Sequence, residues 1–133
     1  MNEQMRSFLR LLEEKAPGEA AHAQRVAVMA VATGHAMGFD DSELETLHAA
    51  ANLHDMANHP EIAAELPGPI PALHTRIIAV AELFDRAAYD QVDSEGSGEE
   101  VALQKIKSES GKRLDPEVVD AFLRVQPLIQ PLI

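Results

Sequence analysis

The feature that most constrains the fold is a helical spacing of apolar residues along nearly the whole chain. Apolar side chains recur three and four residues apart in segments near 3–15, 18–37, 42–57, 72–90, 99–109 and 116–125. This spacing places them on one face of a helix. Pro17-Gly18 and Pro67-Gly68-Pro69-Ile70-Pro71 interrupt the pattern, because proline removes a backbone donor and fixes φ. The sequence therefore predicts an all-α fold, a single compact bundle of about six helices.

Local signals predict where several of these helices begin and end. Gly38 is a plausible stop for the second helix, and Ser42 with Glu45 has the spacing of a capping box for the next. Asp115 is followed by proline at the first helical position of the last helix. Residues 72–90 are apolar on most sides, so we expect that helix to be central. Residues 126–133 read as a proline-interrupted apolar tail that covers the core or forms an interface.

Length and charge limit the classes of function. The 133 residues suffice for one domain, which we expect to span 1–133. The net charge is −11, so nucleic acid and anionic membranes are not expected partners. The sequence shows no signal-peptide h-region and no apolar run of membrane-spanning length, which predicts a cytoplasmic protein. Cysteine is absent, so a metal site must use His, Asp and Glu, a set that suits Mn, Fe, Zn or Mg.

Three predicted helices carry side chains of the metal-ligand type. His54-Asp55 ends one apolar helical run, His22 precedes it on another helix, and Glu82 follows it on a third. Ligands contributed by facing helices are how a bundle builds a metal site in its core. The alternative is that these residues form hydrogen-bonded core pairs without a metal.

The motifs around these residues resemble the HD superfamily of metal-dependent phosphohydrolases, most closely its HD-GYP branch. The matching stretches run from about 20 to 125 and are His22-Ala-Gln-Arg25-Val26, Leu47 to Asp55, Pro67-Gly68-Pro69-Ile70, Ile70 to Asp85, and Leu114 to Val119. The fourth is the most specific, because it is similar to I-P-x-x-x-R-I-I-x-V-A-D-x-F-D nearly residue for residue. The resemblance implies an HD-like helical domain.

The chain also departs from the family pattern. The segment that would separate Pro69 from Pro71 is almost wholly absent, and the G-Y-P signature and its paired histidines are lost with it. Ala57-Asn58 stands where the family has G-K, and Glu82 stands where it has aspartate. A second alignment pairs His59 with the family's intermediate histidine and makes it an alternative ligand.

By position, the resemblance implies His22, His54, Asp55 and Glu82 as metal ligands, with Asp55 and Glu82 as catalytic groups if the domain is active. The resemblance also makes Arg25 and Arg76 candidate partners for a ligand phosphate or for a carboxylate of the site. An arginine–carboxylate clamp is an alternative to metal. We expect the other histidines to lie at the surface or its boundary; these are His35, His48, His59 and His74.

Two functions follow from these expectations. The first is a degenerate HD-like domain with reduced or lost phosphohydrolase activity and no metal, serving as a signalling or interaction module through a homodimer or a protein partner. The alternative is an active single-metal phosphohydrolase acting on a nucleotide or another small phosphoester. The missing segment and lysine favour the first, and the joint presence of His22, His54 and Asp55 favours the second.

Overall fold

The computed structural model describes residues 18–52, 71–89 and 98–133, together with Arg6, Arg10 and Glu14. The described fold is all-α, as the sequence predicts. Its helices are α1 (Glu19–Ala36), α2 (Asp41–Asn52), α3 (Ala72–Tyr89), α4 (Gly98–Glu109) and α5 (Pro116–Ile129), followed by a 3₁₀ turn (Gln130–Leu132). The sequence also predicts a short helix over 60–66 and a flexible acidic loop over 93–98. The first of these lies outside the described residues, as do residues 93–97 of the loop and the end of the helix predicted to reach Ala57, whereas Gly98 is the first residue of α4. Of the helix predicted at 3–15, the three described residues are helical.

The helices pack around a core in which α1 contacts α2, α3 and α5, while α4 packs on α3. Helix α1 presents small and medium side chains such as Ala23, Val26 and Met29, all of them fully buried. Small side chains allow neighbouring helices to approach closely. Phe84 of α3 and Phe122 of α5 meet at 5.2 Å between ring centroids. The prediction that 72–90 forms a central helix is confirmed, since α3 buries residues over most of its length.

A glycine and a capping box join α1 to α2. Gly38 has a φ of 88°, and the N–H of Phe39 reaches back to the carbonyl of Gly34 at 3.0 Å. The chain then turns at once into α2. Asp40 accepts from the N–H of Glu43 at 2.8 Å, and Glu43 accepts from the N–H of Asp40 at 3.1 Å. The capping box is thus Asp40–Glu43, and the prediction of Ser42–Glu45 is wrong by two residues.

The last helix begins as predicted and ends later. Asp115 accepts from the N–H of Glu117 at 2.9 Å, with Pro116 at the first helical position. The helix then continues through Pro127 to Ile129 instead of ending near Val125. Proline removes a single N–H here, close to the helix end, where few helical bonds remain to be lost.

The predicted apolar tail, 126–133, continues α5 and ends in the 3₁₀ turn. Gln126 and Ile129 are buried, and the Nε2 atom of Gln126 donates to Glu99 at 2.9 Å. Leu128 and Leu132 are exposed. One face of the segment covers the core and the other is open. Among the described helices, none is long and apolar enough to cross a membrane.

Candidate functional site

The described ligand-type side chains meet where α1 packs on α3. His22 lies near the start of α1 and is 3% exposed. Glu82 and Asp85 stand three residues apart on α3, which places them on one helix face. Arg25 follows His22 on α1, and Arg86 lies one turn beyond Glu82 on α3. We call these five residues the His22 cluster.

Each ring nitrogen of His22 faces a carboxylate. Nδ1 lies 2.5 Å from Oδ2 of Asp85, and Nε2 lies 2.7 Å from Oε2 of Glu82. Because ionised carboxylates only accept, both nitrogens must donate, and the ring is an imidazolium. Burial alone would lower the pKa of His22, but the hydrogen bonds to Asp85 and Glu82 outweigh it and raise the pKa to about 9. His22 is therefore a buried cation at neutral pH.

Arg25 clamps the carboxylate of Asp85. Its Nε donates to Oδ1 at 2.7 Å and its Nη2 donates to Oδ2 at 3.0 Å, in the fork geometry that suits a carboxylate. The side chain of Asp85 is 1% exposed. Burial acts to raise the pKa of Asp85, but the hydrogen bonds from His22 and Arg25 bring it below its ordinary value. Asp85 is thus held as a carboxylate shared by two cations.

Glu82 and Tyr89 complete the outer side of the cluster. Arg86 Nε donates to Oε1 of Glu82 at 3.0 Å, and the Glu82 side chain is 29% exposed. The guanidinium carbon of Arg25 lies 4.0 Å from the ring centroid of Tyr89, within the range of a cation–π contact. Tyr89 is half exposed. The cluster therefore has a buried side at Asp85 and a side open to solvent at Glu82 and Arg86, and Tyr89 lies beside it against Arg25.

The fit of a metal ion can be tested on the His22–Glu82 contact. The 2.7 Å between Nε2 and Oε2 is a hydrogen-bond distance. Two ligands that each lie about 2.1 Å from one tetrahedral ion are about 3.4 Å apart. As the two side chains stand, a proton fits between them and a tetrahedral ion such as Zn²⁺ does not. Within 18–52, 71–89 and 98–133, no group of three His, Asp or Glu residues has the arrangement of a metal site.

The structure brings together two of the four predicted ligands, His22 and Glu82. His54, Asp55 and the alternative ligand His59 lie outside the described residues. Arg25, predicted as a phosphate or carboxylate partner, contacts a carboxylate. The other predicted partner, Arg76, donates to Asp115 at 3.3 Å and is more than half exposed, so it does not join the cluster.

Sequence reasoning missed Asp85, Arg86 and Tyr89 as members of the site. A signal for Asp85 was present, because it is an acid on an apolar helix three residues from Glu82. A buried carboxylate needs a partner, and His22 and Arg25 supply it. No comparable signal marked Arg86 or Tyr89, because charged and aromatic side chains near a helix end are common at surfaces.

The remaining histidines differ in burial. His35 is exposed and His48 is half-buried. His74 is 7% exposed, so its predicted place at the surface or boundary is wrong: its ring packs against Phe39 at 5.3 Å between centroids. Its Nδ1 atom and the Oδ1 atom of Asn52 are buried, and neither has a hydrogen-bond partner among the residues described.

Comparison of the chain with models of protein families, with curated proteins and with solved structures finds no match. The His22 cluster and the sequence motifs are therefore the features that bear on function.

Proposed function

We propose that this chain is a degenerate HD-like helical domain that works as a signalling or interaction module, with phosphohydrolase activity reduced or lost. The observation that carries the proposal is that both ring nitrogens of His22 are held by carboxylates, at 2.5 and 2.7 Å. A histidine that ligates a metal must offer an unprotonated nitrogen. In the His22 cluster both nitrogens carry protons, and the residue at the family's first ligand position serves an ion-pair network instead.

Charge supports the same proposal. His22, Arg25 and Arg86 place three cations around the carboxylates of Glu82 and Asp85. A divalent ion would bring two more positive charges into this group. Since the pKa of His22 is about 9, removing its proton at pH 7 costs roughly 3 kcal/mol, or on the order of 100-fold in metal affinity.

The departures from the family motif point the same way. The chain lacks the segment that carries the family's paired histidines, and Ala57-Asn58 replaces G-K. Phosphoryl transfer depends on positive groups that neutralise the phosphate oxygens. Arg25 and Arg86, which bind the same carboxylates as His22, are already paired with Asp85 and Glu82.

Metal content tests the proposal. The purified full chain is analysed by mass spectrometry for Mn, Fe and Zn, and then titrated calorimetrically with each ion and with Mg at pH 7. We expect a metal-free protein with no saturable binding, and an Asp55→Ala variant that behaves identically. Near-stoichiometric metal that is lost in Asp55→Ala and in His54→Ala would overturn the proposal.

One observation favours the alternative, an active single-metal phosphohydrolase. A metal-bound histidine usually donates its second ring N–H to a carboxylate, and Nδ1 of His22 is placed to do so towards Asp85. His22 Nε2 and Glu82 would then hold the ion together with His54 and Asp55. A bound metal would lower the pKa of a water molecule and neutralise a phosphoryl oxygen.

Turnover separates the two functions. A panel of phosphomonoesters, phosphodiesters and nucleotides is incubated with the chain and Mn²⁺, with Glu82→Gln as the matched variant. We expect no hydrolysis above that of the variant. Hydrolysis that Glu82→Gln abolishes, in a protein shown to bind the metal, would establish the alternative.

A further inference from the structure

An apolar groove lies between α1, α2 and α5. Its volume is about 500 Å³, and ten of the described residues line it. Val28 and Val31 come from α1, Leu44 and His48 from α2, and Leu128 from α5. None of the ten lining residues carries a carboxylate, although the whole chain has a net charge of −11. The groove is thus a strip without carboxylates on an acidic protein, and its polar side chains are His35 and His48.

Large apolar side chains are exposed in this region. Leu128 and Val28 line the groove and are 75% and 38% exposed, and Leu132 in the following 3₁₀ turn is 74% exposed. Among the described residues, Tyr89 is the remaining large hydrophobic side chain with comparable exposure, and it stacks on Arg25. A projecting leucine beside an apolar groove makes the face complementary to itself, which a two-fold dimer requires.

We propose that the groove between α1, α2 and α5 binds a second copy of this chain, with Leu128 of each copy seated in the groove of the other. This inference rests on the proposed function, in which the domain works by interaction. It identifies the partner as a second copy of the chain. Burying Leu128 and Val28 against each other across the two-fold axis removes the most exposed part of the groove from water.

Charge complementarity favours this pairing. Two copies that each carry −11 repel one another at most surfaces. At the groove, exposed Arg124 stands one helical turn before Leu128. On α2, exposed Asp41 lies one turn before the lining residue Leu44, and exposed Glu45 lies one turn before the lining residue His48. Seating α5 of one copy in the groove of the other brings Arg124 towards these two carboxylates. Opposite charges at the edge of the contact would then attract the two copies, although their net negative charges repel.

The size of the face sets the expected strength. A standard stable interface involves about 20–30 residues on each side and buries about 800 Å² per partner. The ten lining residues and Leu132 make eleven, which falls short of that number. We therefore expect a weak, concentration-dependent dimer with a dissociation constant of about 1–100 μM.

Sedimentation of the full chain from about 5 to about 500 μM tests the inference, since this range spans the expected dissociation constant. The weight-average mass of the wild type is expected to rise from 14.5 kDa towards twice that value. Leu128→Asp puts a charge into the contact and is expected to weaken association at least about 10-fold. Gln104→Asp, an exposed position on α4, adds the same charge away from the groove and is expected to associate like the wild type. Circular dichroism verifies that both variants fold.

The absence of cysteine allows a second test. Leu128→Cys and Val28→Cys each introduce the only thiol of their chain. An equimolar mixture treated with a short bifunctional maleimide is expected to give the cross-linked heterodimer. Gln104→Cys, mixed with Val28→Cys in the same way, is expected to give at least about 10-fold less product, because its thiol lies away from the contact.

Any of the following outcomes overturns the inference. A wild type that remains at 14.5 kDa throughout, or a Leu128→Asp variant that dimerises like the wild type, excludes the groove as the self-contact. In a monomer, slow maleimide labelling of Leu128→Cys would assign the groove to the chain's own N-terminal residues, and rapid labelling would assign it to a different partner. Metal content is an independent readout, so failure of the dimer and failure of the proposed function are distinguishable.

Discussion

The Nδ1 atom of His22 lies 2.5 Å from Oδ2 of Asp85, across 63 residues of sequence, and the contact ties the start of α1 to the second half of α3. Both side chains are almost fully buried. Arg25 binds the same carboxylate from the next turn of α1. The crossing of α1 and α3 is therefore held by a buried ionic contact as well as by apolar packing.

Loss of the Asp85 charge should destabilise the domain strongly. Asp85→Asn keeps the size of the side chain but leaves His22 and Arg25 without their shared carboxylate. Breaking a buried ion pair by removing one partner typically costs about 3–5 kcal/mol. We expect a loss of this size in the free energy of unfolding, measured by urea denaturation.

The matched control is Asp120→Asn, at an exposed position of α5. It removes the same charge from the surface and is expected to change the free energy of unfolding by less than about 0.5 kcal/mol. A loss below about 1 kcal/mol for Asp85→Asn would show that the contact with His22 contributes little to folding.

Stability should fall at alkaline pH because of His22. Its pKa is raised from 6.5 to about 9 in the folded protein, so folding favours the protonated form. That contribution is fully present below pH 6.5 and is lost as the pH rises through about 9. A shift of this size corresponds to about 3 kcal/mol.

Urea denaturation at a series of pH values from 6 to 10 measures this loss around the pKa of His22. His22→Gln provides the reference, since it cannot titrate, and its stability should depend less steeply on pH over that window. Asp85 acts at the other end of the scale. Its pKa is lowered on folding, so its contribution is present above its ordinary pKa and is lost as the pH falls through the folded value. Parallel pH profiles for the wild type and His22→Gln would contradict the prediction.

The all-α class and the main helices were predictable because their signals are local. The apolar spacing of 72–90 and 99–109 gave α3 and α4 to within a residue or two at each end. Asp115-Pro116 marked the start of α5 because an acceptor side chain and a donor-free proline both suit the same helix end. The order of residues within each segment was enough for these predictions.

The composition of the His22 cluster was less accessible, because it depends on how α1 rotates against α3. The sequence offered Glu82 as the acid opposite His22, and the structure adds Asp85, three residues later on the same face. Pairing of Arg25 with Asp85, and not with Glu82, follows from the relative position of two helices along their axes. Short-range periodicity carries no information on that position.

The first turn of α2 supplies another prediction, because the sequence offers two capping boxes of equal spacing. Asp40–Glu43 is the one formed, since the turn at Gly38 starts α2 immediately. Asp40→Ala should destabilise the domain by about 1 kcal/mol, the usual cost of losing an N-cap side chain. Ser42→Ala should change stability by less than about 0.5 kcal/mol, because Ser42 lies within the helix and is exposed. Thermal denaturation of both variants measures the difference, and equal losses would contradict the assignment of the cap.

Close packing at Gly34 leads to a final prediction. A Cβ atom at this residue would lie 2.7 Å from Cδ2 of Leu47 and 3.1 Å from the ring of Phe39. Leu47 is fully buried and has little room to move. Gly34→Ala gains about 0.5–1 kcal/mol of helix propensity, but overpacking costs about 1–3 kcal/mol. We therefore expect a net loss of about 1 kcal/mol in the free energy of unfolding, as the difference of these two effects.

A double-mutant cycle tests whether that loss comes from the contact with Leu47. Leu47→Val removes the Cδ atoms and should by itself cost about 1 kcal/mol, the value of one buried methylene. Combined with Gly34→Ala, it makes room for the new methyl group. The double variant should therefore be more stable than the sum of the two single losses by at least about 0.5 kcal/mol. If the two losses are additive, the strain at Gly34 lies elsewhere, and the close approach of α1 to α2 does not depend on a glycine facing Leu47.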